Sequence, residues 1–311
     1  RFFPWTTIPV IPYYLPFIIR KQIRNFDIIH IHEHRSLLSA IVYLYAKKYG
    51  IPYVLQSHGS VLPFFAKQKS KKFFDKLIGF RILKHASKLI ALNQTEAEQY
   101  ITMGVEKDKI EIVPNGIDLE EYRKLPERGF FRKKYGIGED EKIILYLGRI
   151  HETKGIDLLI KSVAEIKKKM KNVKLLIIGG GNTNKLENLV NDLNIDDSVI
   201  FTGFVSLEEK KQAFIDSDLF VTPSFTGFPI TFVESCASGT PIITTNKGDY
   251  LDWIDKNVGF VTEFDAQKMS EKILEFFNDE KIKELFINNC NLLIINKFNW
   301  GKIVKKLEKL Y

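Results

Sequence analysis

Residues 142–160 read KIILYLGRIHETKGIDLLI. Lys142 to Leu147 is a short apolar run of strand length, and it ends abruptly in Gly148-Arg149-Ile150. Lys154-Gly155 follows, and a helical pattern then runs from Gly155 to Met170. A strand feeding a glycine turn and then a helix is the unit of a doubly wound parallel sheet, whose ligands sit at the carboxyl ends of its strands. The turn offers two cations, backbone amides and the positive end of a helix, a combination suited to a diphosphate. Spacing alone leaves a plainer reading open, in which Arg149 and Lys154 are surface charges at a helix start.

Working outward, the alternation continues. Strands are expected at 173–178, 199–202, 218–222 and 241–244, helices at 184–193, 207–215 and 231–238, and a long helix from Ala266. Toward the N-terminus a similar series appears: strand 27–32, helix 36–48 ending at Gly50, strand 52–56 running into Ser57-His58-Gly59, a basic helix over 71–85, strand 88–92, helix 94–103 and strand 110–113. Between the series lies a charged stretch, 120–138, without strong periodicity. The expected division is therefore a first domain of 1–135, joined by a C-terminal helix at 297–311, and a second of 136–296. The first series lacks the glycine-rich strand-helix turn that should open it, and at about 30 residues per repeat roughly 60 to 80 residues are expected ahead of Arg1.

Composition fits this plan. The 311 residues are 45% hydrophobic and 27% charged, ordinary globular usage with room for two domains. Cys236 and Cys290 lack the spacing of a metal site or a disulfide framework, which suits a reducing cytoplasm. No run reaches the ~20 apolar residues of a membrane-spanning helix, and no cleavable leader is evident. The formal charge of +8 comes from lysine runs such as 167–169, 67–72 and 305–306, which read as solvated faces but also suit anionic donors, lipid headgroups or nucleic acid. Residues 1–20 interleave Phe2, Phe3, Trp5, Tyr13, Tyr14 and Phe17 with Pro4, Pro9, Pro12 and Pro16, and Arg20, Lys21 and Arg24 follow. These prolines exclude a regular helix over most of the segment, leaving a packed loop or an aromatic and basic patch at a membrane interface.

A second constellation adds to the first. Strand 218–222 runs into Pro223-Ser224-Phe225-Thr226-Gly227-Phe228-Pro229-Ile230, and the next helix carries Glu234 one turn in. Small residues let amides approach an anion, and two carboxylate oxygens can accept the vicinal hydroxyls of a ribose. The alternative is a capped helix with Glu234 in water.

Taken together, Gly148-Arg149-Ile150, Lys154-Gly155, Pro223-Ser224 through Glu234, Ala237, Gly239 and Pro241-Ile242-Ile243 resemble the donor site of retaining family 4, group 1 type glycosyltransferases. The likeness extends to Ile112-Val113-Pro114-Asn115-Gly116-Ile117-Asp118, to Ser57-His58-Gly59 and to Phe298-Asn299-Trp300, and so spans essentially the whole chain. It implies an α/β, GT-B fold of two doubly wound Rossmann-like domains facing a cleft, the first truncated at its N-terminus. It also implies a nucleotide-diphosphate sugar as donor substrate, no separate cofactor and no metal. By this resemblance Arg149 and Lys154 neutralise the diphosphate, Glu234 binds the ribose, and Gly203, Phe204 and Val205 line the base. Gly148 belongs to the donor turn, Gly227, Phe228, Pro229 and Ile230 offer amides to sugar and phosphate, and His58 faces the donor sugar. The family's pair of glutamates, with seven residues between them, is broken here, because Thr226 stands in the first position and Glu234 in the second. A hydroxyl keeps one hydrogen bond but cannot stabilise a developing cation as a carboxylate does.

The reaction implied is transfer of a sugar to a hydroxyl of a glycan or lipid-linked acceptor with retained configuration, by a cytoplasmic enzyme with possible contact at the inner face of the cell membrane. His30, His32 and His34 alternate along one strand and suggest either a three-imidazole metal site or, as the preferred reading, acceptor or sugar contacts by His32 or His34. Gly179-Gly180-Gly181 invites a dinucleotide reading, but no acidic residue clearly ends the next strand, so a flexible turn near the donor is the safer account. Rival classes are a sugar-nucleotide epimerase or hydrolase and a non-catalytic nucleotide-sugar-binding subunit. Nucleic-acid binding has only the basic charge in its favour.

Overall fold

The computed structural model describes residues 14–63 and 68–311. It divides into two compact units, one of residues up to Pro114 with Lys305–Tyr311 and one of Asn115–Val304. In the first unit α1 (Leu15–Gln22), β1 (Ile29–His32), α2 (Leu37–Tyr49), β2 (Tyr53–Gln56), α3 (Gln68–Phe74), α4 (Phe80–His85), β3 (Lys88–Ala91), α5 (Gln94–Thr102) and β4 (Ile110–Ile112) form a parallel sheet in the order β1-β2-β3-β4 with its helices. Local chemistry sets the ends. Ser36 caps α2 through the Ser39 amide at 3.0 Å, and Gly50 closes it in the left-handed region at φ 70°. Tyr43, Leu55, Leu89 and Tyr100 pack in its core.

The second unit continues with α6 (Glu120–Arg123), α7 (Phe130–Tyr135), β5 (Lys142–Leu147), α8 (Ile156–Lys167), β6 (Val173–Ile178), α9 (Asn184–Asp192), β7 (Val199–Gly203), α10 (Leu207–Asp216), β8 (Leu219–Thr222), α11 (Ile230–Ala237), β9 (Ile242–Thr245), β10 (Gly259–Thr262), α12 (Ala266–Asn278), α13 (Glu280–Asn296) and α14 (Trp300–Glu308), whose last turn is grouped with the first unit. Its parallel sheet has the order β10-β9-β8-β5-β6-β7. Side chains along β5 alternate between two cores: Ile144 and Tyr146 pack on one face, Ile143 and Leu145 on the other. Each such side chain, fully removed from water, contributes roughly 1.5–3 kcal/mol, so the central strand is a rigid base for whatever follows it. The chain runs outward from β5 through β6 to β7, then returns to the opposite side of β5 as β8. The switch point of the sheet therefore lies between β5 and β8, where open α/β sheets form a crevice.

Several expectations change. Residues 120–135 of the charged stretch, expected in the first domain, are grouped with the second unit. Asp216 at the end of α10 accepts the amides of Gly129 and Phe131, the latter at 2.6 Å, and Phe131 is wholly buried. Of the expected C-terminal extension 297–311, only Lys305–Tyr311 is grouped with the first unit, where Lys306 Nζ donates to the Ile112 carbonyl at 2.6 Å. The basic helix 71–85 is broken by a π-turn over Asp75–Gly79. Asp75 turns inward onto Arg35 in a bidentate pair at 2.8 Å, and a Cβ at Gly79 would lie 2.6 Å from its carboxylate. The long helix from Ala266 is two helices, because Asp279 caps a new one through the Lys281 and Ile282 amides. The short edge strand β10 has no counterpart in the sequence reading. Within the proline-rich leader, α1 forms because Pro16 falls in its first turn, where its missing N–H costs nothing. Residues 1–13 of that leader lie outside the described residues. Cys236 and Cys290 are free, buried thiols in one core.

Candidate functional site

The carboxyl end of β5 is built by glycine. The Gly148 amide donates to the Ile178 carbonyl at 3.0 Å, Ile150 to Gly180 at 2.9 Å and Gly179 to Gly203 at 3.0 Å, so the sheet ladder continues past the strand ends. A Cβ at Gly179 would sit 1.9 Å from the Gly148 carbonyl oxygen, and one at Gly181 would sit 2.2 Å from that of Ile150. The triple glycine is thus neither a dinucleotide turn nor a loose one. It lets three loops lie edge to edge as a floor.

On this floor stand two cations. The buried Tyr146 hydroxyl donates to the Arg149 carbonyl at 3.0 Å and fixes the turn, leaving the Arg149 side chain exposed. His151 caps a short 3-10 turn that ends at Lys154, and Gly155, at φ 68°, packs so closely that a Cβ there would be 2.8 Å from the Phe264 ring and 3.1 Å from Pro223. The β5 and β8 loops therefore adjoin. Among the described residues neither the Arg149 nor the Lys154 side chain has a hydrogen-bond or ion-pair partner. Burial first, and Arg149 second, pull the Lys154 pKa below the ordinary lysine value. Two neighbouring cations without a counter-ion, beside the start of α8, form a standing attraction for a multiply charged anion.

A cavity of about 550 Å³ opens beside Arg149. Its walls include Gly148, Gly180, Phe204, Val205 and Lys210. Phe204 is 87% exposed and lies over Gly180, where a Cβ would come within 2.2 Å of its ring, so one aromatic face is supported by backbone and the other is open. Gly203 turns the chain there at φ 69°. The expected base-lining segment and the expected diphosphate turn are thereby brought to one hollow.

The β8 loop completes the group. Phe225 pairs with Gly248, extending the β8–β9 ladder, and Pro229 caps α11. Thr226 is exposed. Gly227 has φ 73°, and its amide donates to Asp249 Oδ2 at 2.7 Å, so of the amides expected to serve a ligand this one is occupied by a carboxylate from the neighbouring loop. Phe228 packs on Phe298, with ring centres 5.7 Å apart, as a structural contact. Ile230 opens α11. Glu234 is not solvated: its side chain is 13% exposed, Oε1 accepts from Lys210 Nζ at 2.6 Å, and Oε2 is buried with no partner among the described residues. Its negative charge, after burial, holds the nearby Tyr122 hydroxyl protonated. Lys210 and Asp249 were not singled out by sequence. Lys210 sits in a Glu-Glu-Lys-Lys run that reads as a solvated face, and Asp249 comes from a loop without a motif.

The first unit gathers imidazoles at the ends of β1 and β2. His32 Nδ1 and His58 Nε2 share a hydrogen bond of 2.7 Å, His30 stacks on His32 with ring centres 4.3 Å apart, and the Tyr311 hydroxyl meets His30 Nδ1 at 2.8 Å. His58 adopts φ 52°, and the following Gly59 amide is held by Glu96 at 2.6 Å. Burial, then the neighbouring imidazoles, lower His30 to about 4, and burial followed by His32 lowers His58. These two rings are neutral at pH 7. His34 corrects the expectation of a ligand contact, because it is fully buried, meets the Ser57 hydroxyl at 3.0 Å and is lowered to about 3 by burial. No cluster of metal-binding geometry occurs among the described residues, so the three-imidazole reading has no support.

Comparison with known proteins fits this geometry. Residues 127–309 match the family of group 1 glycosyl transferases and residues 1–121 that of glycosyltransferase family 4, and the chain belongs to the group 1 glycosyltransferases. Its fold is GT-B: it superposes on the structure of Anabaena HepE in complex with UDP with a TM-score of 0.82 at 18% identity, covering 98% of this chain and 84% of that one. An uncharacterised glycosyltransferase of Methanocaldococcus jannaschii is 29% identical over 66% of this chain and 54% of its own length. The Escherichia coli UDP-Gal:alpha-D-GlcNAc-diphosphoundecaprenol alpha-1,3-galactosyltransferase is 27% identical over 94% of this chain and 76% of its own. Against the archaeal protein and a putative Bacillus subtilis glycosyltransferase the chain spans 54% and 62% of the relative's length.

Proposed function

We propose that this chain transfers a sugar from a nucleotide-diphosphate sugar to an acceptor hydroxyl, with the anomeric configuration retained. The observation that carries the reading is the pair of cations, Arg149 and Lys154, without counter-ions among the described residues, next to a cavity whose wall includes Lys210, the partner of the shielded Glu234. The diphosphate lies against Arg149 and Lys154, the base against Phe204 and Val205, and a ribose hydroxyl donates to Glu234 Oε2, the oxygen without a partner among the described residues. As the bond from the anomeric carbon to the diphosphate breaks, the electron pair and negative charge pass to the leaving phosphate, where both cations stabilise them. The acceptor oxygen bonds to the same face of the sugar, and its proton passes to the departing phosphate oxygen. Thr226 offers only a hydroxyl, and Asp249, held at the next residue's amide, supplies a carboxylate for the sugar hydroxyls.

A lipid-linked acceptor, worked on at a membrane face, is favoured by a second feature. Across α3, the π-turn and α4, Phe73, Leu77 and Phe80 are 65%, 55% and 45% exposed among Lys69, Lys72, Lys76, Arg81 and Lys84. The segment's one acid, Asp75, is buried against Arg35. Aromatic rings between cations suit an anionic lipid surface, and none of the described helices is long and apolar enough to cross a membrane. The deciding experiment is a thermal-shift screen of nucleotide sugars followed by turnover with labelled donor. Transfer to an added acceptor supports the reading. Conversion of the donor without acceptor identifies an epimerase, and binding without turnover identifies a non-catalytic subunit.

A further inference from the structure

Lys210 lies where no donor-site motif places a residue. Ser206 and Glu209 cap α10 reciprocally, the Glu209 amide donating to the Ser206 hydroxyl at 3.1 Å and the Ser206 amide to the Glu209 carboxylate at 2.9 Å. The first turn of α10 is thereby fixed, and Lys210 follows directly from it. Lys210 forms part of the cavity wall with Gly148, Arg149 and Phe204, and its ammonium reaches Glu234 Oε1 at 2.6 Å. Both side chains are shielded, at 21% and 13% exposure, unlike the Lys185–Glu152 pair at 86% and 80%. A pair in water adds little, whereas a shielded one fixes geometry. Glu234 Oε2, buried and without a partner among the described residues, is an acceptor for which the protein supplies no donor.

From this we infer that Lys210 is a positioning residue of the donor site: by holding Oε1 of Glu234 it fixes the carboxylate behind the cavity wall and leaves Oε2 as the acceptor for a ribose hydroxyl of a nucleoside diphosphate. The inference rests on the proposed ribose contact of Glu234 and adds that the contact depends on an ammonium from another helix. Without that ammonium the carboxylate rotates toward Tyr122 or water, and discrimination for the ribose hydroxyls is lost while diphosphate and base contacts remain.

The test compares UDP with 2′,3′-dideoxy-UDP by calorimetry on the full chain, in wild type, Glu234→Gln, Lys210→Met and Lys210→Arg. A hydrogen bond to a charged acceptor predicts that wild type prefers UDP by roughly ten- to a hundredfold. Glu234→Gln should collapse that ratio, Lys210→Met should bring it to about threefold or less, and Lys210→Arg should restore most of it. A general loosening of the site weakens both ligands alike and leaves the ratio intact, so an unchanged ratio in Lys210→Met overturns the inference. Equal binding of the two ligands by wild type overturns instead the ribose assignment beneath it.

Discussion

Lys154→Met tests the cation pair most directly. A unit charge about 4 Å from a phosphate oxygen contributes about 4 kcal/mol at an effective dielectric of 20. Lys154 is half-buried, so water screens part of this, and about 3 kcal/mol is a fair value for its share of leaving-group stabilisation. That corresponds to a loss of roughly 10²-fold in kcat/KM, measured with a saturating acceptor and the donor identified by thermal shift. Among the described residues no carboxylate pairs with Lys154, so its charge is not already spent on a counter-ion. A variant within threefold of wild type would refute the leaving-group assignment.

The same residue carries a pH signature. Because burial and Arg149 lower the Lys154 pKa, its ammonium is lost at a pH below that of an ordinary lysine, and activity should fall as pH rises through that point. Lys154→Arg, whose guanidinium stays charged, should move the alkaline descent upward. Arg149→Met removes the smaller of the two causes, so it should shift the descent upward only partly while lowering the rate throughout. A descent at the same pH in all three proteins would show that another group sets it.

Gly179→Ala places a methyl group 1.9 Å from the Gly148 carbonyl oxygen, which only backbone movement can relieve, so the donor floor should open and thermal stabilisation by nucleotide should vanish even where the fold survives. Asp249→Asn keeps a side chain at the Gly227 amide but removes the charge. Hydrolysis and transfer should fall about tenfold or more with the Kd for UDP unchanged, and an unchanged rate would leave position 226 without a substitute carboxylate. Pelleting with anionic vesicles at low salt should be strong for the native chain and weak for Phe73→Ser/Phe80→Ser, while equal pelleting of both would place any lipid contact elsewhere.

How much of this was readable in advance depended on whether a feature was local in sequence. The β5 turn was, because an apolar run, a glycine, two cations and a helix start lie within one short stretch whose periods are distinct. The π-turn at Asp75–Gly79 was not, since its cause is Arg35, far away on another element, and nothing in the local pattern of charges distinguishes a buried aspartate from a solvated one. Nor was the boundary at Pro114: the charged stretch before β5 looks like a linker until Asp216 is seen capping it. His34 alternates with His30 and His32 along the chain, yet it leaves the strand for the interior, because Glu33 takes φ 66° and reverses the expected alternation.

The candidate donor site follows a more general logic. Its groups come from the loops after β5, β7 and β8, and parallel strands deliver their carboxyl ends to one side of a sheet whatever their order in the chain. Each motif alone is therefore weak, because a Gly-Arg or a helix-borne glutamate occurs in many proteins. What gives the set meaning is that β8 returns beside β5, which brings the Lys154 turn against Pro223, while β7 and α10 approach from the other flank with Phe204 and Lys210. A carboxylate on α11 then meets an ammonium on α10 across that arrangement, a meeting encoded in neither helix. The pairing of Lys210 with Glu234 is thus a product of strand order.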